Sequence, residues 1–201
     1  MSALVSGVRS GEALISFPTD TVPALAARPD CSHLIFEAKQ RSLDKPLILM
    51  AGAVNDLWPY VQGPAEALQI WRSVAERYLP GPLTLVLPAS DRVPLAMNPM
   101  EPGTIGVRVP NHPVAITILR QTGPLATTSA NLSGQPPLLS LADIEAQFPQ
   151  VLTLSPTALQ ELQPISTLTT ASLPSGIPST VAKWTENGWQ ILRQGAVILS
   201  S

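Results

Sequence analysis

Five of the twelve lysines and arginines lie in short polar segments beside apolar runs: Lys39, Arg41, Lys45, Arg108 and Arg193. Arginine offers phosphate or carboxylate a planar pair of donors, and lysine offers a mobile point charge. Because only 13% of the residues are charged, cations at strand ends favour an anion-binding cleft. Surface solubility is the alternative and suits a lone cation better. The spacing Lys39-x-Arg41-x-x-x-Lys45, between an apolar helix and an apolar strand, favours the cleft.

A second group of segments carries hydroxyl groups. Ser129-Ala-Asn-Leu-Ser-Gly134 follows an apolar run and is predicted to form a turn at the end of a buried strand. Such a turn can point N–H groups and hydroxyls at phosphate oxygens, although serine and asparagine in loops more often satisfy their own backbone. The same two interpretations stay open for Pro18-Thr-Asp-Thr21 and Ser179-Thr180. His112, which precedes a proline, is predicted to start a helix rather than to act as a general base.

Several function classes are disfavoured by what the sequence lacks. It has no GxxxxGK[ST], GxGxxG, HExxH or GxSxG motif. A formal net charge of −2 argues against a protein that coats nucleic acid. The one cysteine, Cys31, can form neither an intramolecular disulfide nor, alone, a zinc site. With no basic start, no leading apolar stretch and no run of about 18 apolar residues, we expect a soluble cytoplasmic protein without a membrane segment.

The elements that must position these residues alternate between short apolar runs and helical patterns, which is typical of an α/β fold. At 201 residues with 45% hydrophobic content, one domain over residues 1–201 is predicted. Residues 155–178 are rich in Ser, Thr and Pro and are predicted to be a long loop. Predicted strands are Ala13–Phe17, Leu47–Met50, Leu83–Leu87, Thr104–Val109, Leu125–Thr128 and the hairpin Val181–Trp184 and Gln190–Arg193; predicted helices are Ser32–Lys39, Pro64–Tyr78, Pro113–Gln121 and Leu141–Phe148.

Together and in this order, the polar segments resemble the threonylcarbamoyl-adenylate synthases, the YrdC-like family, in its short single-domain form. The similarity runs from about Gly11 to Gly195. It implies a twisted mixed sheet flanked by helices around a deep basic cavity. There ATP, L-threonine and bicarbonate would give threonylcarbamoyl-AMP and pyrophosphate, for the threonylcarbamoyladenosine modification of tRNA. Two anionic reactants need fixed cations to come together, which the candidate residues would supply.

The resemblance also implies individual roles. Lys39 and Arg41 match the basic motif and are the expected catalytic residues, and Asn131 is expected to organise its turn. The expected ATP-binding residues are Lys39, Arg41, Lys45, Thr104, Ser129 and Arg193, and the expected threonine-binding residues are Thr19, Thr21, Arg108, Thr127 and Ser179.

The resemblance implies no protein metal site, because Mg²⁺ would enter through the ATP phosphates. The product would pass to a tRNA threonylcarbamoyl transferase complex, and a weak RNA contact is a further expectation. Asp20, Pro23-Ala24 and Met50 depart from residues that are usual in the family. The departure at Pro23-Ala24 leaves open a paralogue that binds nucleotide without this synthesis. An RNA-binding module is a second alternative, because members of this fold have a concave basic surface, although the acidic pI argues against it.

Overall fold

The computed structural model describes residues 1–162 and 174–199. Within these residues an eight-stranded mixed sheet has the order β1-β2-β6-β3-β5-β4-β7-β8. Strand β3 is parallel to β5, and β4 is parallel to β7, whereas the other neighbours are antiparallel. The strands are β1 (Ile15–Phe17), β2 (Ala24–Ala27), β3 (Ile48–Met50), β4 (Leu83–Pro88), β5 (Thr104–Arg108), β6 (Leu125–Ser129), β7 (Thr180–Thr185) and β8 (Gly188–Arg193).

Helices cover both faces of this sheet. They are α1 (Ser2–Ser10), α2 (His33–Lys39), α3 (Ala65–Tyr78), α4 (Pro113–Thr122), α5 (Leu141–Gln147) and α6 (Pro156–Leu162). Strand β2 shows the alternation that divides the two faces: Ala24 and Ala26 pack with α1, α4 and α6, whereas Leu25 and Ala27 belong to the core that includes α2, α3 and α5. The face that carries α1, α4 and α6 is also the face on which the candidate site opens.

Most of the sequence-predicted elements are confirmed within one or two residues. Helix α3 follows its predicted periodicity, and His112 is the N-cap of α4. The hairpin of β7 and β8 turns just before Gly188, whose φ of 95° suits glycine. The predicted α/β class is therefore confirmed by the arrangement of sheet and helices.

Three elements differ from the prediction. The loop expected over residues 155–178 is wrong at Pro156–Leu162, which forms α6 because Ala158, Leu159 and Leu162 pack beside α4. The part from 163 to 173 lies outside the described residues. Helix α1 was not predicted; it buries Leu4, Val5 and Val8. Strand β2, also unpredicted, is mostly alanine, and its pairing with β1 and β6 makes it a strand.

A search for membrane spans over the described residues finds no helix that is long and apolar enough to cross a bilayer.

Candidate functional site

A cavity of about 440 Å³ opens on the sheet, beyond the area that α1, α4 and α6 cover. Its floor consists of alternate strand residues, while their neighbours Leu49, Val107 and Ala182 pack into the core on the other face. The strand register sets these floor residues side by side across the sheet. One row contains Thr127, Ile48, Gly106, Val86 and Lys183, and the next row contains Met50 beside Arg108 and then Thr84, Val181 and Arg193.

At one end of the cavity Arg108 is fixed by three groups. Its Nη2 donates to Asp20 Oδ1 at 2.7 Å, its Nη1 to Thr21 Oγ1 at 2.9 Å and its Nε to the Gly81 carbonyl at 3.1 Å. The side chains of Arg108 and Asp20 are 3% and 1% exposed. Burial lowers the pKa of the guanidinium, and the carboxylate acts in the opposite direction. Since a guanidinium has five N–H groups, two remain for a ligand carboxylate.

The loop that carries Asp20 is held by its own hydroxyls. Thr19 Oγ1 donates to the Val22 carbonyl at 2.7 Å and accepts from the Thr21 backbone N–H at 3.1 Å. Thr21 lines the cavity and Thr19 does not. Thr19 therefore shapes the loop, and Thr21 is the threonine of this segment that a ligand in the cavity can reach.

Toward the other end, the loop after α2 brings in Arg41 and Lys45. Arg41 Nε donates to the Lys45 carbonyl and its Nη2 to the Pro46 carbonyl, each at 3.1 Å. Burial lowers the pKa of Arg41. Lys45 Nζ donates to Ser133 Oγ at 3.2 Å, which ties this loop to the turn after β6. Both cations line the cavity with hydrogen-bond partners that carry no formal charge.

Lys39 lies behind the cavity rather than in it. It is 1% exposed and is absent from the cavity lining. Its Nζ donates to the Ser129 carbonyl and, at 3.3 Å, to Asn131 Oδ1. Burial, followed by the positive charges of Arg41 and Lys45, lowers its pKa to about 7.

The turn after β6 is organised by Asn131. Its Nδ2 donates to the carbonyls of Leu132 and Gln135 at 2.7 and 2.8 Å, and its Oδ1 accepts from Ser129 Oγ at 2.5 Å. Ser129 lines the cavity, so this turn forms part of its wall.

Ser179 and Arg193 form the wall beside β4. Arg193 Nε donates to the Ser179 carbonyl at 3.0 Å and its Nη2 to Ser179 Oγ at 3.3 Å, and that Oγ is 2.9 Å from Thr84 Oγ1. Burial lowers the pKa of Arg193. The chain then passes so close to this wall that a Cβ at Gly195 would collide with the backbone of Pro178 and Thr180.

The cavity brings together most of the residues that the sequence singled out. Those in its lining are Thr21, Arg41, Lys45, Thr104, Arg108, Thr127, Ser129, Ser179 and Arg193, whereas Lys39 and Thr19 stand behind it. Met50, Pro23 and Ala24, which the sequence analysis also singled out, line the cavity as well. Among residues 1–162 and 174–199, no three His, Cys, Asp or Glu side chains come together as metal ligands could.

Sequence reasoning missed four residues of the lining with charged or amide side chains: Asp44, Asn98, Glu101 and Lys183. Only Lys183 left a usable signal. It stands two residues after Val181 in a strand, so period-two alternation places both on one face. With Lys183, the cations of the described lining are Arg41, Lys45, Arg108, Lys183 and Arg193, against the acidic Asp44 and Glu101.

The Sua5–YciO–YrdC family model, described as telomere recombination, matches residues 8–195. The chain belongs to this family. A threonylcarbamoyl-AMP synthase of Rattus norvegicus is 35% identical over 155 residues, which are 75% of this chain and 53% of the rat protein. One from Klebsiella pneumoniae subsp. pneumoniae is 36% identical over 145 residues, 70% of this chain and 75% of that protein. This chain thus spans about half the length of the rat relative.

Solved structures of the family share the fold. P. abyssi Sua5 complexed with L-threonine has a TM-score of 0.77 and 30% identity, over 95% of this chain and 52% of that one. E. coli YciO has a TM-score of 0.74 at 23% identity, over 96% of this chain and 87% of that one, and supports the fold alone. The resemblance and the fold class inferred from the sequence are confirmed, whereas the depth of the cavity stays a prediction.

Proposed function

We propose that this protein condenses L-threonine, bicarbonate and ATP to threonylcarbamoyl-AMP and pyrophosphate. The observation that carries the proposal is one cavity that holds a fixed, carboxylate-paired arginine at one end and cations without an acidic hydrogen-bond partner elsewhere in its wall. The names of the rat and Klebsiella relatives, and the threonine bound by P. abyssi Sua5, agree with it.

In the proposed reaction the ammonium group of threonine releases a proton, and its nitrogen then bonds to the carbon of bicarbonate while a C–OH bond of bicarbonate breaks and water leaves. A carbamate oxygen then attacks the α-phosphorus of ATP, and the bond to the pyrophosphate group breaks. The two free N–H groups of Arg108 would bind the carboxylate of threonine. Thr21, Thr127 and Ser179 would lie beside the amino acid.

The remaining cations would offset the repulsion between the carbamate and the triphosphate. Arg41 is best placed for this because its guanidinium is oriented by two backbone carbonyls and faces the cavity. A preoriented charge stabilises a transition state without a cost of reorganisation during the reaction. Lys45, Thr104, Ser129 and Arg193 would complete the ATP site.

Magnesium would enter with the ATP phosphates. The cavity offers only Asp44 and Glu101 as carboxylates within the described lining, and Mg²⁺ commonly keeps phosphate and water ligands. The residues present therefore suit a metal that the nucleotide carries. A transfer of the product to a tRNA-modifying complex, a weak RNA contact and a cytoplasmic location complete the proposal.

The experiment is a product assay with purified protein, ATP, labelled bicarbonate and L-threonine. We expect a labelled threonylcarbamoyl adenylate and one pyrophosphate per product, both dependent on threonine. Arg41→Ala should abolish most of the product, while Arg92→Ala removes an exposed arginine outside the described lining and serves as the matched control. ATP binding that is indifferent to threonine, with no product, would instead support a nucleotide-binding paralogue. Binding of duplex RNA at physiological salt, with no product, would support the RNA-binding module.

A further inference from the structure

Thr84 is a hydroxyl residue in the floor of the cavity to which the proposed function gives no role. It lies on β4, is 0% exposed and belongs to the cavity lining. Among residues 1–162 and 174–199, the only hydrogen-bond partner of its Oγ1 is Ser179 Oγ, at 2.9 Å. Because water cannot reach this hydroxyl, its proton has one acceptor in the described part of the chain.

The Ser179 hydroxyl accepts a hydrogen bond from each of its two partners. Arg193 Nη2 donates to Ser179 Oγ at 3.3 Å, and a guanidinium can only donate. If Ser179 donated to Thr84, the proton of Thr84 would be buried without an acceptor, which is unfavourable. Thr84 is therefore the donor of the pair, and Ser179 is the acceptor.

This arrangement leaves Ser179 with a proton to donate. A hydroxyl has one proton and two lone pairs, and both lone pairs of Ser179 are occupied. Ser179 lines the cavity, and its hydroxyl has no further partner in the described part of the chain. The remaining hydrogen bond is thus available to a ligand, and the ligand atom must be an acceptor.

The charges around this pair of hydroxyls favour an acceptor that is negatively charged. The strand register sets Thr84 beside Arg108 of β5, and Arg193 contacts Ser179 directly. Burial lowers the pKa of Arg108, the carboxylate of Asp20 opposes this, and the positive charge of Arg193 lowers it further. An ammonium group at this place would be repelled by both guanidiniums and would find no free lone pair on Ser179. An anionic oxygen would be attracted by all three groups.

We propose that Ser179 donates a hydrogen bond to an anionic oxygen of a reactant, and that Thr84 is the positioning residue that directs the Ser179 proton to it. The inference rests on the proposed function, whose reactants offer such an oxygen in the carboxylate of threonine, the carboxyl group that bicarbonate contributes and the phosphates of ATP. Thr84 acts on the reactant through Ser179, because its own proton is already donated.

The test compares the wild type with Thr84→Val, Thr84→Ser, Ser179→Ala and the double variant of Thr84→Val and Ser179→Ala. Calorimetry gives the dissociation constants of ATP, of L-threonine and of (R)-3-hydroxybutyrate, which is threonine without its ammonium group. The product assay gives the KM for bicarbonate at saturating threonine and ATP. Thr185→Val is the matched control, because it removes a strand hydroxyl that donates to the Gly188 carbonyl outside the cavity lining.

We expect Ser179→Ala to weaken one reactant by about tenfold or more, since its partner is charged. Thr84→Val should weaken the same reactant by about threefold, because the Ser179 proton is then spread over its staggered positions. Thr84→Ser keeps the donor and should restore the affinity. Adding Thr84→Val to Ser179→Ala should cost nothing further, since the two residues act through one contact.

The parameter that changes identifies the oxygen. Weaker binding of both threonine and (R)-3-hydroxybutyrate indicates the carboxylate of the amino acid. A higher KM for bicarbonate, with threonine binding unchanged, indicates the carboxyl group of the carbamate. Weaker binding of ATP alone indicates a phosphate. Each of these results supports the donor role of Ser179.

Three results would overturn the proposal. A loss in Ser179→Ala that affects threonine and spares (R)-3-hydroxybutyrate would place the ammonium group at Ser179. Unchanged values for every reactant in Ser179→Ala would show that Ser179 makes no such contact. A Thr84→Val variant that only lowers the melting temperature, while Ser179→Ala weakens a reactant, would make Thr84 a structural residue.

Failure of the proposed synthesis is a separate outcome. A wild-type protein that binds threonine and ATP without forming product would refute the synthesis, and the dissociation constants would then decide the role of Ser179 alone. If thermal melts show that Thr84→Val does not fold, Thr84→Cys takes its place, because a thiol is a much weaker donor, and the same loss is expected.

Discussion

At one end of the cavity Arg108 is paired with a buried carboxylate, whereas Arg41 and Lys45 are held by backbone carbonyls and a serine hydroxyl. The first arrangement offsets the cost of burying a cation within the protein itself. The second leaves positive charge for a ligand to offset. The difference matches the two proposed reactants, since threonine is a zwitterion and ATP is a polyanion. A site for both can therefore hold its cation in a buried ion pair at one end and leave its cations without a hydrogen-bonded carboxylate at the other.

Removing Arg108 should give the largest effect because it leaves Asp20 buried and unpaired. We expect Arg108→Ala to lower the free energy of unfolding by about 3–5 kcal/mol and to abolish threonine binding. Urea denaturation and calorimetry with threonine measure the two effects. Adding Asp20→Asn should restore part of the stability but not the binding. Unchanged stability in Arg108→Ala would contradict a buried pair.

Arg41→Ala should weaken ligand binding more than it lowers the stability of the fold. The free energy of ATP binding should fall by about 1.5–3 kcal/mol, the range for hydrogen bonds to charged groups. The free energy of unfolding should change by less than about 1 kcal/mol, because no acidic side chain is left unpaired. Titration calorimetry and urea denaturation distinguish the two, with Arg92→Ala as the control. A loss of stability as large as that of Arg108→Ala would remove the contrast between the ends.

Lys39 should make the free energy of unfolding depend on pH. Its pKa is lowered to about 7 in the folded protein, from 10.5, so between these values the unfolded chain binds a proton that the folded chain lacks. The free energy of unfolding should therefore rise with pH across that window, by at most about 1.4 kcal/mol per unit. Denaturation at several pH values measures this slope, and Lys39→Met should lack it. Saturating ATP should reduce the slope, because negatively charged phosphates near Lys39 would raise its pKa toward the unfolded value. A slope that ATP leaves unchanged would argue against phosphates near Lys39.

Lys183 should give the smallest effect, because it is partly exposed and water screens its charge. We expect Lys183→Ala to weaken ATP binding by less than about 1 kcal/mol at low salt, and the difference should shrink as salt is added. Lys183→Arg, which keeps the charge, is the control. Equal ATP affinities of Lys183→Ala and the wild type at low salt would show that Lys183 does not contribute to ATP binding.

The sequence predicted the site most successfully where a polar residue lies in a short segment beside an apolar strand. Arg108 and Ser129 terminate apolar strands, and both proved to line one cavity. The pairing of Arg108 with Asp20 was not foreseen, because 88 residues separate them and only the sheet brings them together. The expected contact between Lys39 and ATP stays a prediction. Motif spacing could not predict that Lys39 lies behind the cavity rather than in its lining.

For the fold, regular periodicity was enough for α3, but α1 has Gly7 and several serines among its apolar residues, which weaken the helical pattern. Strand β2 has almost no intrinsic strand preference, so its neighbours decide its structure. Lys183 was missed because one lysine in a strand has the pattern of an ordinary surface residue. In each case the missing information concerns contacts between elements that are distant in the sequence.

The close approach at Gly195 limits which sequences can keep this site. A side chain there would displace the backbone of Pro178 and Thr180, on either side of the Ser179 that Arg193 holds. A substitution outside the cavity lining would thus move two of its polar residues at once. Tolerance to mutation should accordingly be lower at this position than at Arg92, which is exposed and lies outside the cavity lining.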